Sequence, residues 1–401
     1  MIGKQTKFVW GIFFAGLALR FFCLPQEAFF CDVPSNLRAV ESGRMIIQFP
    51  GYAPFHVLVS WVSVVTGSDF MALVGLSLAC IAAATVYCFL MAWNRAGFSG
   101  ALLSVVVMSF SPLAIYFSCV GASYATDALA VSGMIYHGDR FIRKRGTLDY
   151  YVVLGWFIVG CLMRPLSLVL CGLAVVALLL MELTVRRAVL TMLLFFAGAL
   201  SYVAISVPYY GSIGQFVAGG GEISAQLSGT VMVQMLTNAF RVCIYPLWGL
   251  HLFLAITAVI LWKQRQYVDR ALALYICLLG LPYFLVLLRY VPHAGYYCLL
   301  LPCLVSLPWV AGPMCWLPGR LMRVGLLLAI LFCVQFILVR PIPVSGSVSL
   351  VGNVYMFQYT RTGIQNSMFE TLSSLSVKSG VLRNQVPPLR YEDIMRQGRV
   401  K

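Results

Sequence analysis

Long apolar runs without a single charge limit this chain more than any other feature. Leu166 to Met181 and Val324 to Val339 hold no Asp, Glu, Lys or Arg. Each is about the length needed to cross the hydrocarbon core of a bilayer as a helix. Helices are required there, because backbone polar groups in lipid must bond within their own segment. The whole chain follows the same pattern: 61% of its 401 residues are hydrophobic and 10% are charged. An ordinary soluble domain carries about a quarter charged residues. These runs predict an all-α polytopic membrane protein with about eleven transmembrane helices. They leave the 13 cysteines with no zinc-like spacing, and most sit within apolar stretches as small hydrophobes.

The net charge of +15 orients the thread. Its basic residues come in clusters between the runs: Lys4 and Lys7; Arg95; Arg140, Arg143, Lys144 and Arg145; Arg186 and Arg187; Lys263, Arg265 and Arg270; Arg320 and Arg323. Placing all of them on the cytoplasmic side gives one consistent path. No stripe of basic residues suits a nucleic acid, and no such partner is expected.

On that path the first helix, Phe8 to Leu24, exits into a long outer loop over 25–67 that carries juxtamembrane helices. Tyr52 to Val65 is apolar but short, and counting it as a full span would put Arg140 to Arg145 outside. Helices follow over Phe70 to Trp93, Ala101 to Phe117, Ala122 to His137, Tyr151 to Met163, Leu166 to Met181 and Ala188 to Val207. A second outer loop covers 208–241. Val242 to Trp262, Ala271 to Leu288, Tyr296 to Leu317 and Val324 to Val339 complete a membrane domain over 1–340, with a polar extracytoplasmic tail over 341–401.

The ionisable residues left over gather on the outer side. Charge beside a membrane core is costly, so each is a functional candidate, although one at a helix end can equally snorkel to headgroups. Asp32, beside Phe29 and Phe30 in the first outer loop, could take a proton from an acceptor hydroxyl, or could simply cap a turn before Pro34. Asp127 stands at the start of an apolar helix, where the helix dipole favours a carboxylate. Arg164-Pro165 and Arg289-Tyr290-Val291-Pro292 form two Arg-bearing turns on the same side. The guanidinium fork suits phosphate, so both read as anion-binding candidates. His56 and His293 are isolated and read as structural before metal-binding.

The order of these elements resembles the type C membrane glycosyltransferases, a superfamily that includes protein O-mannosyltransferases and lipid A aminoarabinose transferases. The resemblance runs over about residues 8 to 310. It is carried by Leu19-Arg20 closing the first helix, Asp32 in the first loop, and Phe49-Pro50-Gly51-Tyr52-Ala53-Pro54. Ser111-Pro112 with Tyr124 and Asp127 continues it, followed by Arg164, and by Arg289-Tyr290 with Pro292. Asp32 is followed by Val33 where many relatives have a second acid, and relatives are often longer, with a folded outer domain.

The resemblance implies transfer of a sugar from a polyprenyl-phosphate donor to a hydroxyl on a protein, lipid or glycan, with inversion. Asp32 would be the base, Arg164 and Arg289 would hold the donor phosphate, and Tyr52, Tyr124, Asp127 and Tyr290 would bind substrate. Some relatives use a divalent metal, which the lone Asp32 does not call for; no metal ligands are assigned. A multi-pass transporter or lipid-linked-sugar flippase is the alternative reading. The expected setting is a bacterial inner membrane, with lipids as partners.

Overall fold

The computed structural model describes residues 2–22, 33–43, 52–119, 121, 123–216, 239, 247–289, 294–312, 323–325 and 327–331. About 91% of these are helical and none forms a strand. The expectations placed on the tail over 341–401 and on most of the second outer loop lie outside the described residues.

Helices α1 (Ile2–Phe22), α2 (Val33–Ser42) and α3 (Ala53–Thr66) precede α4 (Asp69–Phe110), and α5 (Pro112–Cys119) follows it. Then come α6 (Tyr124–Lys144), α7 (Thr147–Met163), α8 (Ser167–Met181) and α9 (Val185–Tyr210). The last described helices are α10 (Leu247–Lys263), α11 (Arg270–Arg289) and α12 (Ala294–Ser306). Two of them, α4 and α9, are long and apolar enough to cross a membrane.

α4 is two antiparallel helices joined at one residue. Gly97 sits at φ 66°, ψ −151°, a region that only glycine occupies without strain. The chain doubles back there. α1 lies against both halves, with Phe8 beside Phe98 and Trp10 beside Phe89. Arg20, near the far end of α1, reaches the other end of the second half and donates to the Met108 carbonyl at 2.6 Å.

Two expected helices stop early. The run Ala101 to Phe117 is cut after Phe110, because Pro112 has no N–H and pushes Ser111 to ψ 128°. The run Tyr296 to Leu317 is α-helical only to Ser306, then tightens into a 3-10 turn, Leu307–Ala311, containing Pro308. That turn buries Trp309, whose indole N–H donates to Ser104 Oγ at 2.9 Å.

α6 is the axis of the described bundle, packed by α4, α7, α8, α11 and α12. Two glycines let its neighbours close in. A Cβ at Gly133 would meet the Trp156 indole of α7 at 2.5 Å, and one at Gly138 would overlap the Tyr275 ring of α11. Tyr275 then donates its hydroxyl to the Met134 carbonyl at 3.0 Å.

The last two turns of α6 gather several of the basic residues that the sequence places on one side into ion pairs. Asp139, fully buried, takes Arg95 of α4 and, at 2.7 Å, Arg143. Arg95 also bonds Asp269 at 2.9 Å, and Asp269 caps α11 through the Leu272 N–H. Asp149 of α7 lies 3.1 Å from both His137 Nδ1 and Arg140 Nε. Glu182, at the end of α8, pairs with Arg187 of α9.

Candidate functional site

The opposite end of α6 carries Asp127 in its first turn, about 18 Å along the helix from Asp139. Tyr124 stands one turn before it. Arg164 arrives from α7. Pro165 forces Arg164 into extended backbone, φ −146° and ψ 102°, which ends α7 at Met163 and turns the side chain inward. The Arg164 N–H closes the helix on the Gly160 carbonyl at 2.8 Å, and its own carbonyl accepts from the Ser167 N–H at 2.9 Å, opening α8.

Arg164 is 1% exposed. Its Nη1 lies 3.5 Å from Asp127 Oδ2, while Asp127 Oδ1 accepts from the Ser167 hydroxyl at 2.9 Å. The guanidinium carbon sits 4.5 Å above the Tyr124 ring and 5.7 Å from the Tyr52 ring. A desolvated cation over aromatic faces gains up to about 2 kcal/mol, because the ring quadrupole replaces part of the lost hydration. Four of the residues singled out in the sequence, Tyr52, Tyr124, Asp127 and Arg164, therefore meet in one place. Arg164 was expected to offer its fork to a phosphate. In the structure it is already shared with Asp127 and roofed by two tyrosines, because the Arg-Pro turn aims it into the bundle.

Asp32 and Tyr290 lie outside the described residues. Arg289 closes α11, and its side chain also lies outside them. α11 reaches the site through Tyr283, which touches Cys171 at 3.5 Å and stands within reach of Ser167 and Asp127. Arg289 is six residues further along α11, about 9 Å towards the same end.

Ser167 and Tyr283 carry no sequence signal of their own, and a tyrosine cluster at the end of α9 carries a faint one. Tyr202 and Tyr210 stand close to Tyr52, and the Tyr209 ring is 6.2 Å from that of His56. Their one hint is the Pro208-Tyr209-Tyr210 run at a helix end. His56 is buried, and its Nε2 pairs with Asn36 Oδ1 at 3.0 Å, fastening α3 to α2. Burial pushes its pKa down to about 4, so the ring is neutral at pH 7. Arg20, which closes the first helix, is also turned inward: it donates to Ser118 Oγ at 3.0 Å and to the Gly16 carbonyl at 3.2 Å. It ties α1 to α4 and α5.

Among the described residues no three His, Cys, Asp or Glu side chains converge as metal ligands would. A groove of about 700 Å³ lies at the basic end of the bundle, away from this site, among α7, α8 and α9. The chain matches no family model and no curated protein.

Proposed function

We propose that the chain is a multi-pass membrane glycosyltransferase with about eleven spans, acting at the extracytoplasmic face of a bacterial inner membrane. One observation carries this reading. The bundle holds a buried guanidinium–carboxylate pair under an aromatic roof at the end away from its basic clusters. Burying Arg164 and Asp127 away from water is costly, and ionisable groups held inside a membrane bundle are functional candidates by default.

The substrate is a sugar joined to a polyprenyl phosphate. Asp32 removes the proton of an acceptor hydroxyl, whose oxygen attacks the anomeric carbon from the side opposite the phosphate. The bond between that carbon and the phosphate oxygen breaks, and its electron pair leaves on the lipid phosphate. Inversion follows from that single displacement. Arg289 and the Arg164 floor stabilise the charge that grows on the leaving oxygen, as fixed cations do at other departing phosphates. Tyr52, Tyr124 and Tyr290 offer ring faces and hydroxyls to the sugar, and Asp127 keeps Arg164 in place.

The test is sugar transfer by the purified full chain with a polyprenyl-phosphate sugar, followed by mass spectrometry of the acceptor. Asp32→Asn is expected to abolish it. Full turnover in a well-expressed Asp32→Asn variant removes the mechanism. Substrate that crosses a proteoliposome membrane without covalent change assigns the chain to transport instead.

A further inference from the structure

The groove at the basic end has a polar mouth and an apolar wall. Thr147 of α7 and Glu182 of α8 form the mouth with Arg186 and Arg187 of α9. Arg187 is held there: its Nη1 pairs with Glu182, its Nη2 donates to Thr147 Oγ1 at 3.2 Å, and it lies over the Phe141 and Tyr150 rings. Arg186 is exposed and pairs with no described carboxylate. Arg145 adds a third positive charge 3.8 Å from Glu182. Two guanidiniums thus share one carboxylate, and Arg186 leaves the groove with surplus positive charge.

Below the mouth the groove turns apolar. Arg186, Leu190 and Leu194 all line it, and their spacing of four places them on one stripe of α9. Leu194 lies about 12 Å below Arg186 along the helix. Exposed apolar side chains flank the stripe: Val189 and Leu193, three residues on from Arg186 and Leu190, are 48% and 59% exposed. Surplus positive charge above an apolar track of that depth matches a molecule with an anionic head and a hydrocarbon tail.

We infer that this groove binds an anionic phospholipid of the cytoplasmic leaflet, its phosphate against Arg186 and its acyl chain along Leu190 and Leu194. The inference rests on the membrane reading above and concerns the face opposite the sugar-transfer site. It is a surface site and takes no part in the transfer.

Detergent-purified full chain, titrated with short-chain phosphatidylglycerol and separately with short-chain phosphatidylcholine, tests it by native mass spectrometry and thermal shift. Phosphatidylglycerol is expected to bind more tightly. Arg186→Gln should weaken it about fivefold, the worth of one basic contact at an anionic membrane surface. Leu190→Asp, which sets a carboxylate in the path of the chain, should weaken it at least as much. Arg265→Gln, the same charge change at the same end but away from the groove, should leave it unaltered. Equal binding of the two lipids, or an equal loss in Arg265→Gln, overturns the site. Competition by inorganic phosphate as effective as that by phosphatidylglycerol overturns the lipid as occupant. A chain that stays dispersed without detergent and does not float with phosphatidylcholine vesicles overturns the membrane reading itself. A chain that inserts but ignores headgroup charge overturns the groove alone.

Discussion

At the basic end of α6, Asp139 gives one oxygen to Arg95 and the other to Arg143, and Asp269 stands ready behind Arg95. At the other end, Asp127 meets Arg164 with the Ser167 hydroxyl and two tyrosine rings for company. The first arrangement is redundant and reaches solvent, with the Arg143 side chain 33% exposed. The second is sealed. Redundancy makes a good anchor, since losing one partner leaves others. A sealed pair makes a poor anchor, because each member depends on the other for its solvation. That contrast supports the proposed placement of chemistry at the Asp127 end, with assembly at the Asp139 end.

The contrast breaks first at Asp127. Asp127→Ala leaves a guanidinium buried without its carboxylate and should cost about 3–5 kcal/mol in unfolding experiments. Arg164→Met added to it should restore most of that loss, since a hydrophobic replacement of a buried pair is often neutral. An Asp127→Ala protein as stable as the wild type would show the pair to be wet.

The second prediction concerns pH. His56, wedged between Asn36 and Tyr209, has a pKa near 4 when folded and 6.5 when unfolded. Between those values the unfolded chain binds the proton more tightly. Stability is therefore full above pH 6.5 and falls as the pH drops towards 4, by about 3 kcal/mol at most. Melting curves from pH 7 to 4.5 should show this slope, and His56→Gln should flatten it. Parallel curves for the two proteins would remove His56 as the cause.

Asp139→Ala is expected to cost less than Asp127→Ala, about 2 kcal/mol, because Asp269 still holds Arg95 and Arg143 can turn to water. A larger loss than that of Asp127→Ala reverses the assignment of the two ends. The smallest effect belongs to Arg143→Ala, about 0.5 kcal/mol for a part-exposed pair one turn apart. The same unfolding assay reads both.

The sequence exposed one half of this site and hid the other. Charges in apolar surroundings are few and must find each other, so Asp127 and Arg164 could be picked out residue by residue. The Arg164-Pro165 dipeptide even announced the turn that aims the side chain. Tyr283 and Ser167 could not be chosen, since nothing distinguishes them from the other tyrosines and serines until the helices pack. Helices that are apolar on every side do not reveal which flank faces which neighbour. The fold was readable to the same extent. The helical runs were clear, but the single-residue reversal at Gly97 read as a longer connection, and the Pro112 break was absorbed into one helix.

Both ends of the molecule are written on the same rod. Tyr275 fills the notch at Gly138 and Trp156 the one at Gly133, so α6 can neither slide nor rotate without overlapping them. A shift of α6 that moved Asp127 to suit an incoming substrate would drag Asp139 out of its knot of arginines. On the proposed reading, any motion that lets a substrate in belongs to pieces fastened to this rod from outside, and α3 with Tyr52 and the end of α9 with Tyr209 and Tyr210 are the ones that border the site.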